Sequence, residues 1–113
     1  MKDIMMSQGL VSRIDVTADT IPVVVAAKFI SDSETIELIG NFVNVKYGTH
    51  KVLEFTVPSS DNPFNIFGSN QCEAIIKNNG KNLFLEFDIS SIEISGGNIL
   101  TIRIESEGES NEN

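Results

Sequence analysis

The chain has 113 residues, sixteen acidic against eight basic side chains, and a formal charge of −8. That length holds one domain and not two, and 41% hydrophobic residues supply a core and exclude a chain disordered throughout. The bases are scattered singly, at Lys2, Arg13, Lys28, Lys46, Lys51, Lys77, Lys81 and Arg103, so neither nucleic acid nor an anionic membrane surface is an expected partner, because both are held by clustered cations.

Residues 1–9 contain Ile4, Met5 and Met6 without strand-like alternation. Two readings stand: a flexible, frayed end, or an arm that docks on a neighbour through adaptable methionine contacts. From residue 10 to 18 the even positions are Leu10, Ser12, Ile14, Val16 and Ala18, while Arg13, Asp15 and Thr17 fall between them. This period of two predicts a first, half-buried strand.

Residues 22–30 form a nearly continuous apolar run that opens on Pro22. Its β-branched content predicts a strand buried on both faces, with a short buried helix as the alternative. Ser31-Asp32-Ser33-Glu34 reads as a turn. A long strand follows over 35–46, bent where Gly40 marks a bulge. After a turn at Tyr47-Gly48-Thr49, residues 50–57 return as the second arm of a hairpin.

Residues 58–70 form the longest connection, expected to lack secondary structure of its own. Phe64, Ile66 and Phe67 lie within four residues of one another there, among Ser, Asp, Asn, Pro and Gly. They either fold back to plug the open end of the fold or form an apolar contact for another subunit.

Residues 71–77 and 82–89 flank Asn78-Asn79-Gly80-Lys81, whose Asn-Gly pair supplies the positive φ angles of a tight hairpin turn. Ser90-Ser91 reads as a break before a short strand at 92–94, Ser95-Gly96-Gly97-Asn98 as a turn, and 99–105 as the last strand. The tail, 106–113, is acidic and rich in Ser, Gly and Asn, and is expected to be disordered. Its Glu107, Glu109 and Glu112 leave residues 1–105 with thirteen acids against eight bases, a charge of −5.

Seven or eight short strands with turn signals every 8–12 residues or so predict an all-β domain over residues 10–105, an antiparallel sandwich or jelly roll, with a closed barrel left open as an alternative. The expected inward residues are Leu10, Ile14, Val16, Val23, Val25, Leu38, Phe42, Leu53, Phe55, Val57, Ile76, Leu83, Leu85, Phe87, Ile89, Leu100, Ile102 and Ile104.

Reactive chemistry is sparse. His50 is the only histidine and sits beside a hairpin turn, where it reads as solvated. Cys72 is the only cysteine, so no internal disulfide forms. It lies on the face of Ala74 and Ile76 and reads as a small core hydrophobe rather than a nucleophile paired with His50. One His and one Cys do not make a zinc site. Asp32-Ser33-Glu34 and Asp61-Asn62 are of a suitable type for calcium but match no EF-hand, and read as solvated turns. Strand carboxylates (Glu37, Glu54, Glu86, Asp88, Glu93) are of a type used in glycoside hydrolysis, yet the chain has no Trp and only Tyr47 to stack on a sugar. No Gly-rich phosphate loop opens a helix. No catalytic residues, metal or cofactor are expected.

The N-terminus lacks the long apolar stretch and small-residue cleavage site of a signal peptide, which predicts synthesis and folding in the cytoplasm. In general texture the chain resembles small β-sandwich proteins of phage particles, such as capsid decoration or tail proteins. That resemblance implies a structural module of a larger assembly, a virion among them, contacting proteins or further copies of itself through loop 58–70 and the N-terminal arm. The alternative is a monomeric ligand-binding domain for a carbohydrate or peptide, with calcium as an aid.

Overall fold

A computed structural model describes residues 22–106. Among them are six strands: β1 (Val24–Ile30), β2 (Thr35–Lys46), β3 (Val52–Pro58), β4 (Gln71–Asn78), β5 (Lys81–Gly96) and β6 (Ile99–Ser106). Two 3-10 helices, η1 (Ser59–Asp61) and η2 (Pro63–Gly68), lie between β3 and β4. The strand expected over 10–18, with Leu10, Ile14 and Val16, lies outside the described residues, as does the tail beyond Ser106.

The all-β, antiparallel expectation holds, but the architecture is a closed barrel in the order β1-β2-β3-β6-β5-β4 rather than a sandwich of seven or eight strands. Closure depends on two long strands that each change partner. The first half of β2 pairs with β1 and its second half with β3, through Asn41↔Thr56 to Lys46↔Val52. In β5, Lys81–Asp88 pair with β4, and Ile89–Gly96 pair with β6. The barrel is therefore flattened into two four-stranded layers that share β2 and β5. Layer one is β2-β1-β4-β5, and layer two is β2-β3-β6-β5.

Each long strand turns at a bulge, where one extra residue bends the chain and raises its twist. In β2 the register shifts between Phe42 and Asn44, leaving Val43 extra. In β5 it shifts between Ile89 and Ser91, leaving Ser90 extra. The inward parity switches at both places. Leu38 and Phe42 give way to Val45, and Leu85, Phe87 and Ile89 give way to Ile92 and Ile94. The expected break at Ser90-Ser91 is thus a bulge inside one strand of sixteen residues, which removes a strand from the count. The bend of β2 also falls at Val43 rather than Gly40. Gly40 meets a different constraint: a Cβ there would lie 2.0 Å from the Thr56 carbonyl oxygen, so the crossing with β3 admits no side chain.

The core is a stack of cross-strand rows. Ile36, Phe29, Cys72 and Phe87 form one in layer one, and Phe42, Phe55, Ile102 and Ile94 form one in layer two. The Phe29 and Phe55 rings bridge the layers with centroids 6.5 Å apart, within the range where aromatic pairs attract. The small Ala27 and Ala74 leave room in the middle row of layer one. Most expected core residues are buried, and Val23, Phe42 and Ile89 pack against them half-buried. Leu83 is the exception at 40% exposure, although its register partner Ile76 is buried. The apolar run of β1 is buried on one face only: Val25, Ala27 and Phe29 are interior, while Val24, Ala26 and Ile30 are half-buried and Lys28 is exposed.

The Asn79-Gly80 hairpin forms as expected, with φ of 55° and 84° at its two central residues. β6 runs one residue further than expected, and Ser106 is buried, so it belongs to the barrel and not to a disordered tail. Its N–H donates to the Lys51 carbonyl at 2.9 Å. The Lys51 ammonium lies 5.4 Å from the Phe87 ring centroid and donates to the Glu86 carbonyl. That carbonyl belongs to the half of β5 that pairs with β4 and leaves its other edge without a strand among the described residues. No helix among the described residues is long and apolar enough to cross a membrane.

Candidate interaction surface

The segment joining β3 to β4 is not structureless. Pro58 leads into η1, and Asn62, in the left-handed region at φ 50°, links η1 to η2. A 3-10 helix repeats every three residues, so side chains at i and i+3 eclipse. In Pro63-Phe64-Asn65-Ile66-Phe67-Gly68 this puts Pro63 and Ile66 on one ridge and Phe64 and Phe67 on the next. The first ridge turns inward: Pro63 is fully buried and Ile66 is 0% exposed within the core. The second turns outward, with Phe64 51% and Phe67 53% exposed.

The two readings of this segment therefore divide between its residues. Ile66 is the plug and offers no side chain to a partner. Phe64 and Phe67 occupy the outward ridge. Period three was the signal that could have separated them, but a window tuned to strand and α-helix periods does not contain it. Ile4, Met5 and Met6, the other expected contacts, lie outside the described residues.

The reactive residues are kept apart. Cys72 is 1% exposed, inside the barrel between Phe29 and Phe87 in register. Burial, and secondarily the charge of Glu73, pushes its thiol up to about 12. At neutral pH it carries a proton, whereas the nucleophile in cysteine chemistry is the thiolate. His50 is on the outside, with Nε2 3.2 Å from Glu105 Oε1. Glu105 also accepts from Arg103 Nη1 at 2.6 Å, and Arg103 Nε lies 3.8 Å from Glu54. This is a surface charge network on the outer face of layer two.

One polar cleft of about 400 Å³ opens at the end of layer one, lined by Ile30, Ser31, Asp32, Asn70, Gln71 and Asp88. Backbone bonds hold its walls: Asn70 N–H to the Ile30 carbonyl and Ile89 N–H to the Asn70 carbonyl, both 3.0 Å. Ser31 closes its turn through Oγ, which accepts from the Glu34 N–H at 3.2 Å. Asp32 of the first calcium candidate thus faces a cleft, while Asp61 lies exposed in η1. Among the described residues, no three His, Cys, Asp or Glu side chains converge as a metal site would require.

No protein-family model, no curated protein and no solved structure matches the chain. The geometry of its own residues is what bears on function.

Proposed function

We propose that the protein is a non-enzymatic interaction module, a subunit or decoration of a larger protein assembly that it contacts through the Phe64–Phe67 ridge. The single observation behind this reading is that ridge. Two large aromatic side chains, three residues apart and each about half exposed, project from a segment whose other ridge is locked into the core. Aromatic anchors on a rigid support are the usual centre of a protein contact, because they bury much area at little entropic cost. The protonated, enclosed Cys72 supports the non-enzymatic half. A virion is one such assembly, on the general resemblance alone.

A photo-crosslinking side chain placed at position 64 or 67 tests the reading in the cells that make the protein, with the same group at exposed Glu93 as control. Discrete adducts from 64 and 67, absent from 93, support it. Absence of adducts at both ridge positions overturns it.

The cleft favours a second reading, a domain that binds a small hydroxyl-rich ligand. Ser31, Asp32, Asn70, Gln71 and Asp88 line it, residue types that supply donors and acceptors suited to such a ligand. Calorimetric titration with sugars, with and without calcium, tests it on the wild type and on Asp32→Asn/Asp88→Asn.

A further inference from the structure

The outer faces of the two layers differ. On layer two, one cross-strand row reads Asn44, Glu54, Arg103, Glu93, and the next reads Thr56, Thr101, Ser95. These are the residues of a wetted surface. On layer one, the register lines up Ile39, Ala26, Ile75 and Phe84 across all four strands. Ile39 is 60% and Phe84 68% exposed, with half-buried Ala26 and Ile75 between them. With strands about 4.8 Å apart, this is an unbroken apolar bar roughly 14 Å long.

The rows on either side of the bar say what fits it. On one side the outward residues are Glu37, Lys28, Glu73 and Glu86, and on the other Asn41, Val24, Lys77 and Asn82. Each row lies about 7 Å from the bar, at two residues' rise.

We infer that this face binds a second copy of the same chain, face to face, about a two-fold axis running along the bar. That axis lays each apolar residue on its own counterpart and reverses the strands, the aligned form of sheet packing. It also brings each flanking row onto the opposite one. Glu73 then faces Lys77 of the second copy, and by symmetry Lys77 faces its Glu73, closing two ion pairs at the rim. Lys28 faces Val24, Glu37 faces Asn41 and Glu86 faces Asn82, so no like charges meet. The other in-plane axis, along the strands, would also close two ion pairs, Lys28 with Glu73, but would set Glu37 against Glu86 twice, and like charges opposed at a contact are costly. Charge therefore selects both the occupant and its orientation. The bar shares no residue with the Phe64–Phe67 ridge.

Sedimentation velocity on the full chain across a concentration series tests the pairing. The wild type is expected at twice the chain mass. Phe84→Glu is expected to halve that mass with its melting curve retained, since the ring lies outside the core. Lys77→Glu is expected to halve it as well, and Glu73→Lys/Lys77→Glu to restore it, because the swap rebuilds both ion pairs. A wild type that stays monomeric overturns the proposal, including the case where residues 1–21 of the same chain cover the bar. So does a dimer that survives both Phe84→Glu and Lys77→Glu. Loss of the dimer in Phe64→Ser/Phe67→Ser, with Phe84→Glu still dimeric, also overturns it and moves self-contact to the ridge.

Discussion

Phe64 eclipses Phe67: three residues apart on η2, they occupy the same outward ridge, while Pro63 and Ile66 occupy the neighbouring one and turn into the core. Consecutive residues Ile66 and Phe67 thus have opposite fates. Ile66→Ala removes a fully buried side chain and leaves a cavity, which costs about 2–5 kcal/mol. Phe64→Ser/Phe67→Ser costs about 1 kcal/mol, as partly exposed substitutions do. Urea unfolding of the two variants is expected to separate them clearly, with the larger fall in midpoint for Ile66→Ala.

Gly40→Ala is expected to be severe for a methyl group. Its Cβ has no space beside the Thr56 carbonyl, and the atom in the way is backbone. Relief requires β2 and β3 to part at their crossing, a cost of at least about 1–3 kcal/mol for overpacking. Equilibrium denaturation should show a lower midpoint with an unchanged slope.

Cys72 links stability to alkaline pH. Burial, and secondarily the charge of Glu73, raises its thiol from the ordinary 9.0 to about 12 in the barrel. Below pH 9 both states hold the proton and the linkage is silent. Above it the unfolded chain releases the proton first, so stability falls as pH rises toward 12, by about 1.4 kcal/mol per unit. Cys72→Ala should lack that slope. A thiol reagent at pH 8 should label the native wild type only as fast as the barrel opens.

The charge network around Arg103 should matter little. Its pairs with Glu54 and Glu105 are partly solvated, and such pairs contribute about 1 kcal/mol or less. Arg103→Gln is expected to lower stability within that range, and the difference should shrink in high salt. Thermal melts at two ionic strengths check both statements.

Much of the barrel was legible because side chains alternate. Residues 82–89 and 99–105 declared their inner faces, and Asn79-Gly80 declared the turn between β4 and β5. Cys72 read correctly as core because it falls in phase with Ala74 and Ile76. What was not legible is non-local. Six strands close into a ring because β2 and β5 each serve two neighbours, and no local window carries strand order. The slip of parity from Ile89 to Ile92 was visible, but a slip and a break look alike until the partner β6 is seen to run past both sides. In the candidate site, the residue types were found and their directions were not. Ile66 was grouped with Phe64 and Phe67 because composition alone cannot tell which side of a short helix meets the interior.

The two bulges make this chain more sensitive to length than to chemistry at two places. Val43 is exposed and replacing it should pass almost unnoticed, whereas Ser90 Oγ donates to the Glu105 carbonyl at 3.0 Å and its replacement removes one exposed hydrogen bond. Deleting either would set Phe42, Asn44 and Val45, or Ile89, Ser91 and Ile92, in unbroken alternation with their facing kept, and would remove the bend at which the strand changes partner. Any variant that shortens β2 or β5 by one residue there keeps its inward residues inward and loses the corner that lets one strand serve two neighbours.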